Sequence, residues 1–382
     1  MIQSFMVYGF LGLSLFLLGK IAAQRERIDL INHRSTPFLT WEILLSFFIF
    51  SLITGIRWNV GTDFQGYLEI YNDIHKGWKL NRNIEPGFLL ITDLFANLNI
   101  HYTFYFGFLA FLQLFFFYFA FKDEKYLLPL IGVFIIFGGQ YHMWVNGTRQ
   151  SIAACIFVFS IHFIVKRQLF KYILTIFFAS LFHQSALILL LFYFIPLKNY
   201  FKNKLFTTTL LIVSIFIGLT PTWLSYTNII EQLFILLGYD NYATRLDFLI
   251  TENATVMAFG PRRVAQTILY LILIWTFQGY YRKNKNNKIL LFYNLMILGA
   301  IHHNLFANAS NIFMRPTYYL TIFTPIITSY LLVDLYNREK KISLKYIMLF
   351  MIAISHLVIA IIADADKGSS DYINYKFFWD FV

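Results

Sequence analysis

The sequence predicts an all-α fold, a polytopic helical bundle in a membrane, and three observations carry that expectation: composition, long apolar runs, and the placement of basic residues between them. Of 382 residues, 58% are hydrophobic, 20% aromatic and only 13% charged, whereas a soluble domain carries about 25% charged residues. Mean hydropathy is +0.60. Such a chain is neither an ordinary soluble domain nor a disordered segment. Cys155 stands alone in an apolar run, which excludes a disulfide scaffold and a Cys-based zinc site. A net charge of +11 could suggest nucleic acid, but Lys and Arg collect in small clusters between apolar runs, the pattern of membrane topology. The expected surroundings are therefore membrane lipid, with no nucleic-acid partner.

A spanning helix needs about 20 mostly apolar residues. Ten runs qualify: 2–20, 38–56, 102–121, 126–144, 150–165, 205–224, 264–281, 289–308, 312–335 and 345–363. The first is too long, and too poor in an N-terminal charge and a small-residue cleavage site, to be a removed signal peptide, so it is expected to stay as the first span. After the second run comes a long outer loop, 57–101. Its later part, EPGFLLITDLFANL, has apolar residues at helical spacing beside Asp93 and Asn97, which suits an interfacial helix.

The stretch 172–196 is apolar but interrupted by His183-Gln184. Lys166, Arg167 and Lys171 precede it, and Lys198, Lys202 and Lys204 follow. Both flanks thus read as cytoplasmic, which favours a pair of half-length helices that meet at His183-Gln184 and turn back. A second outer loop, 225–263, carries Glu231, Asp240, Arg245, Asp247, Glu252, Arg262 and Arg263. No internal repeat, low-complexity tract or linker interrupts the chain, so 1–382 is expected to be one membrane domain.

With this topology 20 of the 31 basic residues face the cytoplasm and both termini lie outside it. Lysine divides 14 inside to 4 outside, but arginine divides 6 to 7. The outer arginines are Arg57, Arg82, Arg149, Arg245, Arg262, Arg263 and Arg315. A guanidinium binds phosphate bidentately and keeps its charge in any environment, so these residues suit a phosphorylated ligand. They equally suit pairing with outer acids such as Asp63, Glu69 and Glu85.

Particular constellations sharpen the choice. Arg57, Gly61-Thr62-Asp63 and Tyr67 follow the second span, either as an acid or base beside an anion ligand or as a turn stapled by an Arg-Asp pair. Glu85-Pro86-Gly87 opens the interfacial helix, where a carboxylate is favoured by the helix N-terminus, so Glu85 is a catalytic candidate or simply a cap. Asn146-Gly147-Thr148-Arg149-Gln150 begins the fifth span. Arginine is out of place at a helix N-terminus, which points toward anion binding by Arg149.

His183 and Gln184 sit where polar atoms cost several kcal/mol unless partnered, and a broken helix in a bundle usually lines a cavity. His183 is thus a candidate base or substrate ligand, with a satisfied core histidine as the alternative. Arg315, before Pro316, is a further candidate anion ligand. His302-His303 with Asn304 could line the same cavity or only pack. No HExxH or clustered-carboxylate spacing appears, so no catalytic metal and no cofactor are expected. The absence of Walker-type and GxGxxG loops argues against ATP-driven chemistry.

In order, RWNVGTDFQGY (57–67), NIEPGFLLITDLF (83–95), NGTRQSIAACIFVFS (146–160), LFHQSALILL (181–190) and IFMRPTYYLTIF (312–323) resemble the EpsG-like family of bacterial polysaccharide polymerases, related in role to the Wzy enzymes. The resemblance runs from the second span to the ninth. It implies a metal-independent glycosyltransferase of GT-C-like fold in the bacterial cytoplasmic membrane, with its active site on the outer face. Such an enzyme moves a glycan from undecaprenyl pyrophosphate to the non-reducing end of another lipid-linked repeat unit, and a chain-length regulator is a partner it would take.

The resemblance maps onto Arg57, Asp63, Glu85, Arg149, Gln150, His183 and Arg315, positions the charge argument also selects. On the chemistry of the residues, Asp63, Glu85 and His183 are the catalytic candidates, while Arg57, Arg149, Gln150, Gln184, Arg262, Arg263, Arg315 and Tyr67 are candidates for binding pyrophosphate and glycan. Trp58, Tyr67, Trp78 and Trp144 could stack on sugars or form an interfacial belt. Two other readings share these residues: a different lipid-carrier-dependent transferase, such as an O-antigen ligase, and a glycolipid transporter without chemistry.

Overall fold

The computed structural model describes residues 1–78, 84–220, 260–307, 311–339, 341–367 and 373–381, with Gln232 besides. Arg82 and most of the loop 225–263, including Glu231, Asp240, Arg245, Asp247 and Glu252, lie outside the described residues. Among the described residues the fold is helical, without a strand. The chain divides into two compact units, Met1–Leu197 with Thr324–Val382, and Lys198–Phe323.

The first unit is built from α1 (Ile2–Ile31), α2 (Trp41–Gly55), α3 (Phe64–His75), α4 (Pro86–Asn97), α5 (Tyr102–Phe119), α6 (Leu128–Phe137), α7 (Gln140–Asn146), α8 (Thr148–Val165) and α9 (Leu169–Ser180), with a 3₁₀ helix at Gln184–Phe194. α1 packs on α2 and α6, α2 on α5, and α5 on α8, which in turn packs on α9. α8 is the centre of this unit: Ile152, Ala153, Cys155, Phe157 and Ile161 are fully buried.

Within the described residues every expected apolar run falls on helix, although not always as one. The run 126–144 is two helices, α6 and α7, bent by 62° at Gly138-Gly139, where Gly139 has φ +87°. Among the described residues five helical segments are long and apolar enough to cross a membrane alone: Ile2–Ile31, Tyr102–Phe119, Thr148–Val165, Phe313–Glu339 and Leu344–Asp364. The bent pair would make a sixth. This is a multi-pass membrane protein.

The hairpin at 172–196 has the shape expected from its charged flanks. α9 and the 3₁₀ helix are each too short for a hydrocarbon core of about 30 Å, and they fold back on one another. The Tyr172 hydroxyl, near the start of α9, donates to the Leu189 carbonyl at 2.6 Å, and Arg167 Nη1 donates to the Tyr193 carbonyl at 3.0 Å. His183 is left at the apex.

In the loop 57–101 the expected helix is present as α4, and α3 is an additional helix. Its buried residues Phe64, Tyr67, Leu68 and Tyr71 recur at the helical interval, and its packing partner is α4.

The second unit holds α10 (Lys204–Leu219), α11 (Pro261–Asn284), α12 (Asn287–Leu305) and α13 (Asn311–Thr321). α12 contacts the other three, and Phe277 of α11 stacks on Tyr293 of α12 with ring centres 3.7 Å apart. α14 (Phe323–Glu339) and α15 (Leu344–Lys367) return the chain to the first unit.

Candidate functional site

Four of the five resembling segments converge in the first unit, and backbone contacts do the joining. Gly87 N donates to the Leu181 carbonyl at 2.9 Å and Phe88 N to the same oxygen at 3.3 Å, which docks the start of α4 on the apex of the hairpin. Any Cβ at Gly87 would sit 2.9 Å from Leu181 Cβ and from Leu181 O, so only glycine permits the approach. Similarly, Thr62 N donates to Asn146 Oδ1 at 2.5 Å, joining the turn after α2 to the end of α7. Gly61 holds that turn with φ +94°.

These contacts bring three charged side chains together. Glu85 Oε2 accepts from Arg149 Nη1 at 2.5 Å, and Glu85 Oε1 lies 2.8 Å from His183 Nδ1. Gln184 N donates to the same Oε1 at 3.3 Å. Glu85 precedes α4 as its N-cap residue yet makes no side-chain cap hydrogen bond; its carboxylate is committed to the other two segments.

The side chains of Glu85, Arg149 and His183 are 14%, 26% and 11% exposed. Burial alone would raise the Glu85 carboxyl, but the hydrogen bond from His183 and the Arg149 charge hold it at about 2. Glu85 is therefore a fixed anion near neutrality, a poor base but a good partner for an imidazolium.

Two polar atoms at this centre are buried without a hydrogen-bond partner: His183 Nε2 and Arg149 Nε. With Nδ1 occupied by Glu85, Nε2 is the histidine nitrogen left to a ligand. The Arg149 guanidinium also lies 5.9 Å from the Tyr67 ring centre and 5.5 Å from that of Phe88. Tyr67, Arg149, Glu85 and His183 thus form one connected chain from α3 to the hairpin apex. Gln150 is buried beside Arg149 on α8, and the Gln184 side chain is exposed at the apex.

Other candidates are placed differently. Arg57 is only 1% exposed; its Nη1 donates to the Thr54 carbonyl at 2.5 Å and its Nε to the Val60 carbonyl at 3.3 Å. The guanidinium lies 4.9 Å from the Phe106 ring centre. Arg57 braces the turn from inside instead of facing a ligand. Asp63 is exposed as the N-cap residue of α3. Trp144 is fully buried against Phe50 and Phe117, which makes it core and removes it from the sugar-stacking candidates. Trp78 is 61% exposed.

Arg262, Arg263 and Arg315 belong to the second unit, where Arg263 is buried and the other two are half-buried. His302 Nδ1 lies 2.7 Å from Thr317 Oγ1, tying α12 to the helix that carries Arg315. Asn304 Nδ2 donates to Ser214 Oγ at 3.0 Å, a packing contact with α10.

Asn146, Gly87 and the Leu181 carbonyl were not singled out by charge. The available signal was the Asn-Gly pair ending α7 and the Pro-Gly pair opening α4, both beside charged candidates.

The EpsG family model matches residues 40–377, which spans both units and all five resembling segments. No curated protein and no solved structure matches the chain.

Proposed function

The chain belongs to the EpsG family, and on that premise we propose that it polymerises lipid-linked polysaccharide repeat units on the outer face of the bacterial cytoplasmic membrane. The glycan would pass from undecaprenyl pyrophosphate to the non-reducing end of a second lipid-linked unit. The observation that carries this reading is the Glu85 carboxylate shared between Arg149 and His183, with His183 Nε2 buried and unpartnered.

In this reading His183 is the general base. Glu85 accepts a hydrogen bond from Nδ1–H, fixes the tautomer with a free Nε2, and stabilises the imidazolium that forms. The acceptor hydroxyl gives its proton to Nε2 as its oxygen bonds to the anomeric carbon, and the bond from that carbon to the pyrophosphate oxygen breaks. The lipid pyrophosphate leaves with the bonding pair. Arg149 faces the developing charge with the N–H groups that Glu85 does not occupy, as a fixed donor needing no metal.

Arg262, Arg263 and Arg315 are proposed as further anion ligands on their charge chemistry. Asp63, Tyr67, Gln150 and Gln184 are proposed for the glycan. The frame for this reading is a GT-C-like bundle of about ten spans with both termini outside, supported by the clustering of lysine between spans.

The test is the glycan profile of cells lacking the protein, complemented with wild type, His183→Ala or Arg149→Ala, together with mass spectrometry of the lipid-linked pool. Polymer should vanish while single repeat units persist on the carrier, and both variants should reproduce that state at normal protein level. Repeat units trapped inside the cell would instead indicate a transporter, and polymer made but not transferred onward would indicate a ligase.

A further inference from the structure

The C-terminal segment Ile373–Phe381 lies along the turn that follows α2. Trp58 N donates to the Lys376 carbonyl at 2.8 Å and Phe378 N to the Ile56 carbonyl at 3.0 Å. Arg57 and Phe377 form an isolated antiparallel bridge, and the Tyr375 hydroxyl donates to the Ile53 carbonyl at 2.5 Å. The segment is anchored in its turn. Asp364 Oδ2, near the end of α15, accepts from Ile373 N at 3.2 Å, Asn374 N at 2.8 Å and Asn374 Nδ2 at 2.8 Å. Ser4 Oγ accepts from Tyr375 N at 2.9 Å and donates to Asn374 Oδ1 at 3.0 Å, and the Tyr8 hydroxyl donates to the Ile373 carbonyl at 2.7 Å.

We propose that this segment is a strap that positions the site, with Asp364, Asn374 and Tyr375 as positioning residues. The inference rests on the reading of Glu85 and His183 as a transfer centre. The turn 56–63 has no ladder of its own and includes Asn59 and Gly61 at positive φ, so outside partners must hold its shape. Arg57 braces it from within at the Val60 carbonyl and Gln65 Nε2 donates to Asn59 Oδ1 at 3.1 Å, while its backbone is held from outside by the strap at Ile56 and Trp58 and by Asn146 at Thr62. Immediately beyond the turn α3 begins, and α3 brings the Tyr67 ring to 5.9 Å from the Arg149 guanidinium. Loosening the strap frees the turn at one end, so Tyr67 and through it Arg149 lose their fixed place beside Glu85. A last segment that served only the fold could seat on helix faces; this one spends its backbone groups on the turn.

The experiment uses the full-length protein, purified in detergent, with lipid-linked repeat units extracted from cells lacking this chain as substrate. Asp364→Ala should raise KM about tenfold with the melting temperature little changed, and Asp364→Asn, which keeps an acceptor oxygen, should restore most of the affinity. A purely structural role would lower Vmax only in proportion to the folded fraction, leaving KM and the turnover of the folded protein alone, and that result overturns the proposal, as does an unchanged enzyme. Should Asp364→Ala fail to accumulate, Tyr375→Phe, which deletes one hydroxyl, is judged by the same KM criterion. His183→Ala is run beside them. If His183→Ala is inactive and the strap variants keep the wild-type KM, the strap proposal fails alone; if His183→Ala is fully active, the transfer-centre reading fails.

Discussion

His183 Nδ1 lies 2.8 Å from Glu85 Oε1 across 98 positions of sequence, and the carboxylate that binds it also holds Arg149. Glu85→Gln preserves size but removes the charge, and its amide can present an N–H to Nδ1, which forces the proton onto Nε2. The histidine would then be the wrong tautomer for a base. We expect transfer to fall by about 10²–10⁴-fold, with protein level maintained, measured as polymer formed per unit of membrane protein. Wild-type rates in Glu85→Gln would sink the orienting role.

The low value of the Glu85 carboxyl sets a pH window. Its folded pKa, about 2, lies below the ordinary 4.5, so the group stabilises the native state fully above about pH 4.5. That contribution is lost as pH falls through the folded value. The melting-temperature difference between wild type and Glu85→Gln should therefore shrink as pH falls from about 4.5 toward about 2. A gap undiminished down to about pH 2 would refute the fixed-anion assignment.

Charge reasoning identified Glu85, Arg149 and His183 separately, because a polar group at an apolar boundary is costly and therefore conspicuous. It could not show that they meet, since nothing local in the sequence records a contact across 98 or 64 positions. For Glu85 it left a helix cap open, the local alternative, and the tertiary contact is what the structure displays. Arg57 shows the converse: beside Asp63 it reads as an anion ligand or as half of an Arg-Asp staple, but the turn folds inward and its buried guanidinium donates to the Thr54 and Val60 carbonyls. The helices were legible because span length is a strong signal. The 62° bend within 126–144 is marked in the sequence only by Gly138-Gly139, and α3 is masked there because its apolar stripe is set among Asp63, Glu69 and Asp73.

Gly87 offers a test of how the segments are joined. Alanine there would press its Cβ to 2.9 Å from Leu181 Cβ and from the carbonyl oxygen that accepts Gly87 N and Phe88 N. Backbone cannot yield as a side-chain tip can, so α4 must move off the hairpin apex and carry Glu85 with it. We expect about 1–3 kcal/mol of destabilisation and a loss of transfer approaching that of Glu85→Gln. Normal melting and normal polymer in Gly87→Ala would show that the docking is dispensable.

Trp144 and Trp78 separate core from glycan contact among the aromatics. Trp144 is fully buried against Phe50 and Phe117, so Trp144→Ala should cost about 3–5 kcal/mol and lower the amount of protein in the membrane. Trp78, 61% exposed with Lys76 Nζ 4.8 Å from its ring centre, buries little, and Trp78→Ala should change stability by no more than about 0.5 kcal/mol. If Trp78 stacks on sugar, that variant keeps its melting temperature while its KM for lipid-linked units rises; an unchanged KM assigns the ring to the interface, where its amphipathic character alone explains its position.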